Sequence, residues 1–270
     1  MHSSTSLLIG EFVGRHCSKL KPGMDWGVKA ERGFSAELLR EVHTTHPTST
    51  RIHELTPHCT DPSARDAVVL VVTLPKALAD AARDEVNAMP FADKTISRSG
   101  KVCDAHSRHL SYIGPEAQDA DPQTGQQPVR TWAQLPASEA VRDYLHTILG
   151  DTECQVGCAL KYPDIFDCGI GWHGDAERRK SLVVRLGANS SRHPLWFRFF
   201  KSWDPVSPPI PVHLEHGDVA IACEVAVGTD WRSSSIPTVR HATGFIRFPT
   251  PPLEREKKKA RAAKKREREE

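Results

Sequence analysis

The sequence lacks any apolar run long enough to cross a bilayer: the longest, "AVVLVVTL" at 67–74, reads as a buried strand. The N-terminal patch "SLLIG" has no basic region before it and no small-residue cleavage site after it, so it does not read as a secretory signal. Paired cysteines are also missing. Of seven, only Cys154 and Cys158 lie close together, and no second pair completes a zinc site. Reduced cysteines of an intracellular protein, nuclear or cytoplasmic, are therefore expected. No internal repeat is present beyond one duplicated tripeptide.

Strong net charge is absent too, although the +2 total hides an asymmetry. The tail "EREKKKARAAKKREREE" at 254–270 carries nine basic and five acidic residues, which leaves the remainder with a net charge of −2. The body is thus not a general nucleic-acid binder; such contacts must come from a local patch or from the tail. The tail's basic blocks also look like a nuclear import signal or a nucleic-acid arm.

What is present reads as three zones: an N-terminal extension over 1–66, partly disordered, a domain over 67–250 and a charged tail over 251–270. A short helix is expected at "SAELLREVHTT" with Ser35 as N-cap. The strand 67–74 precedes an amphipathic helix started by Pro75, on which Leu78, Ala82 and Val86 recur at helical spacing. Residues 98–130 read as a long loop or hairpin. A further helix over 135–150 is capped by Ser138 or Pro136 and stopped by Gly150. From 154 to 250 the text breaks into short strands: 156–162, 170–175, 181–186, 195–201, 211–214, 219–225 and 241–248. Many short strands, with 20 prolines in the chain, point to a sandwich or barrel.

His-Gly-Asp occurs twice, at 173–175 and at 216–218. Side chains at i and i+2 of a strand face the same way, so His173 and Asp175 can reach one ion. An open-sided site needs a second histidine, and His193, His213, His216 and His241 follow. His241 lies in a strand-like segment late enough for several strands to intervene. A double-stranded helix would bring such an early and late strand together at its mouth. The second copy directly precedes the apolar "VAIA" and reads as a tight turn whose Asp218 satisfies turn amides.

The ordered set "GIGWHGD", "RLGANSSRHPLWFRFF", "LEHGDVAI" and "RHATG" resembles the AlkB-like branch of the iron(II)- and 2-oxoglutarate-dependent dioxygenases, over roughly 154–248. "RHLSYIG" at 108–114 is faintly similar to that family's substrate-lid segment. The resemblance implies a mainly β (α+β) fold, a double-stranded β-helix (jelly roll) flanked by N-terminal helices. It implies that His173, Asp175 and His241 hold Fe(II), and that 2-oxoglutarate and O2 are co-substrates.

On a strand over 241–248, His241, Thr243, Phe245 and Arg247 share one face, which places Arg247 to clamp a dicarboxylate. Tyr162 sits where the family has an Asn-x-Tyr that hydrogen-bonds the co-substrate, with Leu160 replacing the Asn. The family's paired late arginines are reduced here to Arg247, and Arg185 is the reserve anchor. The run Arg178, Arg179 and Lys180, with Arg192, Arg198 and Lys201, can meet phosphates, and Trp172 and Trp231 can stack a flipped base.

The expected activity is oxidation of a nucleobase in DNA or RNA by a monomer with no membrane partner. The alternatives are a protein side-chain or small-molecule hydroxylase, or a non-catalytic nucleic-acid-binding relative.

Overall fold

A computed structural model describes residues 3–13, 26–97 and 100–244. In chain order these form strands β1 (Ser4–Gly10), β2 (Phe12–Val13) and β3 (Trp26–Gly27), helix α1 (Ala36–Thr45), β4 (Thr50–Glu54), β5 (Val68–Thr73) and helix α2 (Lys76–Ala88). Next come β6 (Lys94–Ile96), β7 (Val102–Asp104), β8 (His109–Ile113), β9 (Val129–Arg130) and helix α3 (Pro136–Leu149). The remainder is β10 (Val156–Tyr162), β11 (Gly169–His173), β12 (Ser181–Leu186), β13 (Leu195–Lys201), β14 (Asp204–Pro205), β15 (Ile210–Val212), β16 (Asp218–Ala222), the one-turn helix α4 (Glu224–Val227) and β17 (Pro237–Gly244). The protein is mainly β, as expected.

The strands build a sheet of eight in the order β4-β5-β16-β12-β1-β10-β8-β9, and a smaller sheet β11-β17-β13 to which β14 and β15 attach through β13. From β10 onward the chain alternates between them. It runs from the large sheet (β10) to the small (β11), back (β12), to the small again (β13 and β15), back (β16), and ends in the small (β17).

One position in this weave is filled from far away. Between β10 and β12 lies β1, antiparallel to both, with Leu7 opposite Ala159 on one side and Val184 on the other. The boundary at residue 66 is therefore wrong: the expected extension supplies a central strand, and β4 and α1 also belong to this unit. Leu7 and Ile9 are fully buried in the main core, while Ser6 and Leu8 turn to a cavity between the sheets. Both faces being covered, β1 has no polar side to create an alternating pattern.

The helices follow their sequence signals with one exception. Ser35 caps α1 by accepting from the Leu38 amide, and Ala36, Leu39 and Val42 form its buried stripe. Pro75 precedes α2, whose Ala79, Ala82 and Val86 are buried. Gly150 ends α3 in the left-handed region at φ 61°. Ser138, however, is inside α3 rather than capping it. The cap comes from α2, where the Glu85 carboxylate accepts from the Ala137 and Ser138 amides at 3.0 and 2.7 Å. The presumed loop at 98–130 also contains β8, a strand of the large sheet paired with β10.

Candidate metal centre

His173 ends β11, and its cross-strand partner in the register is His241 of β17. A register shift between Ile170 and His173 re-aims the end of β11, as bulges do beside sites. The chain then turns so closely past the α4–β17 connection that only glycine fits. A Cβ on Gly174 would lie 2.2 Å from the Gly228 carbonyl oxygen and 2.7 Å from the Trp231 side chain. The Asp175 amide donates to the Val227 carbonyl at 3.1 Å, which fixes the carboxylate.

The result is a convergence of three ligand atoms, all within 4.8 Å of one another. Asp175 Oδ1 is 3.7 Å from His173 Nε2 and 3.8 Å from His241 Nε2. His173 Nδ1 lies 2.8 Å from the Gly171 carbonyl, which makes Nδ1 the protonated nitrogen and leaves the Nε2 lone pair facing Asp175. Burial, with the neighbouring His173, pushes His241 down to about 4, so its ring is neutral at ordinary pH. Burial alone would raise the Asp175 carboxyl. Arg178, the two histidines and Arg108 outweigh it and hold the group below the usual carboxylate range. Two imidazoles and one carboxylate are a donor set that suits a divalent transition metal with positions left open.

The triad opens onto a cavity of about 470 Å³ walled by both sheets. Arg185, Tyr162, Ser6 and Thr243 line it as well. Arg185 is 1% exposed and forms no ion pair among the described residues; its guanidinium donates to Ser6 Oγ and Thr243 Oγ1, both at 2.6 Å. Its Nε has no hydrogen-bond partner. Burial raises the Tyr162 pKa, so the hydroxyl beside Arg185 stays a donor. Of the expected co-substrate residues, the structure brings Arg185 and Tyr162 together. Arg247 lies outside the described residues, as does Phe245. His241 and Thr243, the other two members of the expected face, do share the cavity-facing side of β17.

The second His-Gly-Asp is a turn, as its sequence suggested. Gly217 has φ 87°, and Asp218 accepts from the Glu215 amide at 2.9 Å and from Thr73 Oγ1 at 2.7 Å, and pairs with Arg51 at 2.6 Å. His216 spans from the Gly187 amide to Asp80. Neither residue meets the triad.

The basic run is not an exposed patch along which a nucleic-acid backbone could lie. Arg178 is buried against Asp175 and Glu177, Arg179 pairs with Glu224, and the buried Lys180 pairs with Asp151 and Glu153. The buried Glu11 carboxylate accepts from the Arg179 and Lys180 amides, pinning this loop to the N-terminal segment. Lys201 pairs with Asp61, Arg198 donates to the Ser207 carbonyl, and Arg192 lies over Phe166. These partners are remote in sequence, and the run looked unpaired for that reason.

Trp172 and Trp231 do not line the cavity; they meet Phe200 and the Gly174 turn. "RHLSYIG" is β8 and its approach rather than a lid, and it brings Arg108 and Tyr112 to the cavity wall. Arg108 and Ser6 are cavity residues that sequence reasoning missed. Only the pairing of β8 with β10, and of β1 with β12, would have revealed them. All six described cysteines are free. No described helix is long and apolar enough to cross a membrane.

No family model matches the chain. Over 87 residues it is 42% identical to a protein of Acanthamoeba polyphaga mimivirus described as uncharacterized protein R156. The match covers 32% of this chain and 33% of that protein, so the chain spans about a third of the relative's length.

Proposed function

We propose that this chain is an iron(II)- and 2-oxoglutarate-dependent dioxygenase built on a double-stranded β-helix. One observation carries the reading: a His-x-Asp…His triad shares its cavity with a buried arginine that has two hydroxyl partners and no carboxylate. The alternation of strands between two sheets supports the fold, with the N-terminal β1 taking the place that closes the large sheet between β10 and β12.

In this reading His173, Asp175 and His241 hold iron through Nε2, Oδ1 and Nε2. Bound iron and 2-oxoglutarate together supply the oxidising power that activates O2 toward a substrate C–H bond. The protein's own residues supply position. Arg185, with Ser6, Thr243 and Tyr162, takes the far carboxylate of the co-substrate in a two-pronged contact; the planar fork and the hydroxyls fix its rotation. Gly171 fixes the tautomer of His173, and Arg178 steadies the Asp175 carboxylate.

The internal pairing of the 178–180 run favours a substrate that enters the cavity as a compact group. Oxidation of a nucleobase in DNA or RNA is the second reading, carried by the +4 tail at 254–270. The same tail supports a nuclear location.

Iron-dependent release of succinate from 2-oxoglutarate tests the assignment. Wild type should show it even without substrate, and Arg185→Lys should raise the KM for 2-oxoglutarate while metal content stays near one per chain. Absence of both metal binding and succinate would refute the oxygenase reading. An unchanged KM would return the anchor role to Arg247.

A further inference from the structure

The cavity wall carries two further cations besides the anchor just assigned. Arg178 is 7% exposed, lines the cavity, and donates through Nη2 to Glu177 at 2.9 Å. Its Nε approaches Asp175 Oδ2 only to 3.4 Å, and neither Nε nor Nη1 makes a hydrogen bond. Arg108, on the approach to β8, also lines the cavity; it forms no ion pair among the described residues, and its buried Nε has no partner. Its charge and that of Arg178 both bear on Cys158, which lines the same cavity. Buried donors are ordinarily satisfied, so a pair of arginines left with three unused N–H-bearing nitrogens marks a place for an acceptor.

Charge balance points the same way. The formally charged side chains on the cavity wall are Arg108, Arg178 and Arg185 against Asp175 and Glu177, a net of one positive charge. A divalent ion adds two and a dicarboxylate removes two. One positive charge remains for the substrate to answer.

Resting on the oxygenase reading, we propose that Arg108 and Arg178 form an oxyanion subsite. It binds a carboxylate or phosphate carried by a compact substrate and thereby sets which C–H bond faces the metal. The guanidinium forks suit either oxyanion, and Leu110, Tyr112 and Val13 on the same wall suit a short apolar stem.

Equilibrium binding to the full chain tests this, with inorganic phosphate and glycolate as separate probes. Each titration is run without oxygen, with and without saturating iron and 2-oxoglutarate, on wild type, Arg108→Ala and Arg108→Lys. At least one probe should bind wild type saturably, phosphate alone indicating a phosphorylated substrate and glycolate alone a carboxylic acid. Arg108→Ala should weaken that probe about tenfold and Arg108→Lys much less, with 2-oxoglutarate affinity unchanged in both. Probe binding unaffected by Arg108→Ala, or absent in wild type, would overturn the subsite. Equally, a single-stranded oligonucleotide that displaces the probe would overturn the compact-substrate assignment. Failure of the oxygenase reading looks different: iron and 2-oxoglutarate fail to bind while the Arg108-dependent probe titration persists.

Discussion

Two aspartates in identical His-Gly-Asp contexts should respond oppositely to the same substitution. Asp218 is 2% exposed and holds the turn before β16 by accepting from the Glu215 amide and Thr73 Oγ1, with Arg51 alongside. Thr73 and Arg51 reach solvent, so after Asp218→Ala they recover hydrogen bonds from water. The charge-assisted bonds, that from the Glu215 amide included, vanish. Together these losses amount to about 2–3 kcal/mol, or a fall in Tm of roughly 5–10 °C for a domain of this size. Metal affinity should be untouched, since Asp218 meets none of the triad. Asp175→Ala removes one of three converging ligands and the carboxylate that the buried Arg178 faces. It should leave the chain folded and cost at least a hundredfold in metal affinity, by analogy with losses of ~10–100-fold for mere supporting residues. Thermal unfolding combined with iron titration separates the two. If Asp218→Ala abolishes iron binding at a temperature where it remains folded, or Asp175→Ala retains it, the two copies have been given the wrong roles.

Two further outcomes follow from the site's surroundings. Burial, with Arg185 adding to it, pushes His193 down to about 3, so the unfolded chain takes up this proton first as pH falls. Its stabilising contribution is complete above about 6.5 and is lost toward pH 3, at up to about 1.4 kcal/mol per pH unit. Urea unfolding of His193→Phe should show a shallower acid slope than wild type, and an equal slope would refute the assignment. Gly174→Ala should lower both stability and iron affinity because its Cβ meets the Gly228 carbonyl. Gly171→Ala, with nothing within 4 Å, should melt within about 1–2 °C of wild type.

What was legible in the sequence was local. Ser35, Pro75 and Gly150 announce their helix ends, and the strands from 156 to 201 are bounded by turn residues that act over a few positions. The two His-Gly-Asp copies separate because one precedes an apolar run and the other has a distant histidine to meet. What failed was long-range. The role of "SLLIG" depends on partners at 156–162 and 181–186, and a short strand buried on both faces has no periodicity to read. The 178–180 run looked unpaired because Asp151, Glu153 and Glu224 reach it from elsewhere in the chain. Ser138 lost its capping role to Glu85, which belongs to a different helix. Arg185, only the reserve anchor in the sequence, moved ahead of Arg247 when β1 and β17 brought hydroxyls to it.

The placement of β1 has a consequence for how the chain reaches this state. Ser6 and Arg185, which touch across β1 and β12, are 179 positions apart in sequence. During synthesis the first strand emerges early and must wait for β10 and β12 before it has any neighbour. Loop-closure entropy is spent before the sheet rewards it, which makes this a high-contact-order, slow step. Until it is completed, β10 and β12 each present an open edge with unpaired amides and carbonyls, the surface on which strands of separate chains add. Preparations that shorten or obstruct the first ten residues would therefore fail by aggregation, before any question of chemistry arose.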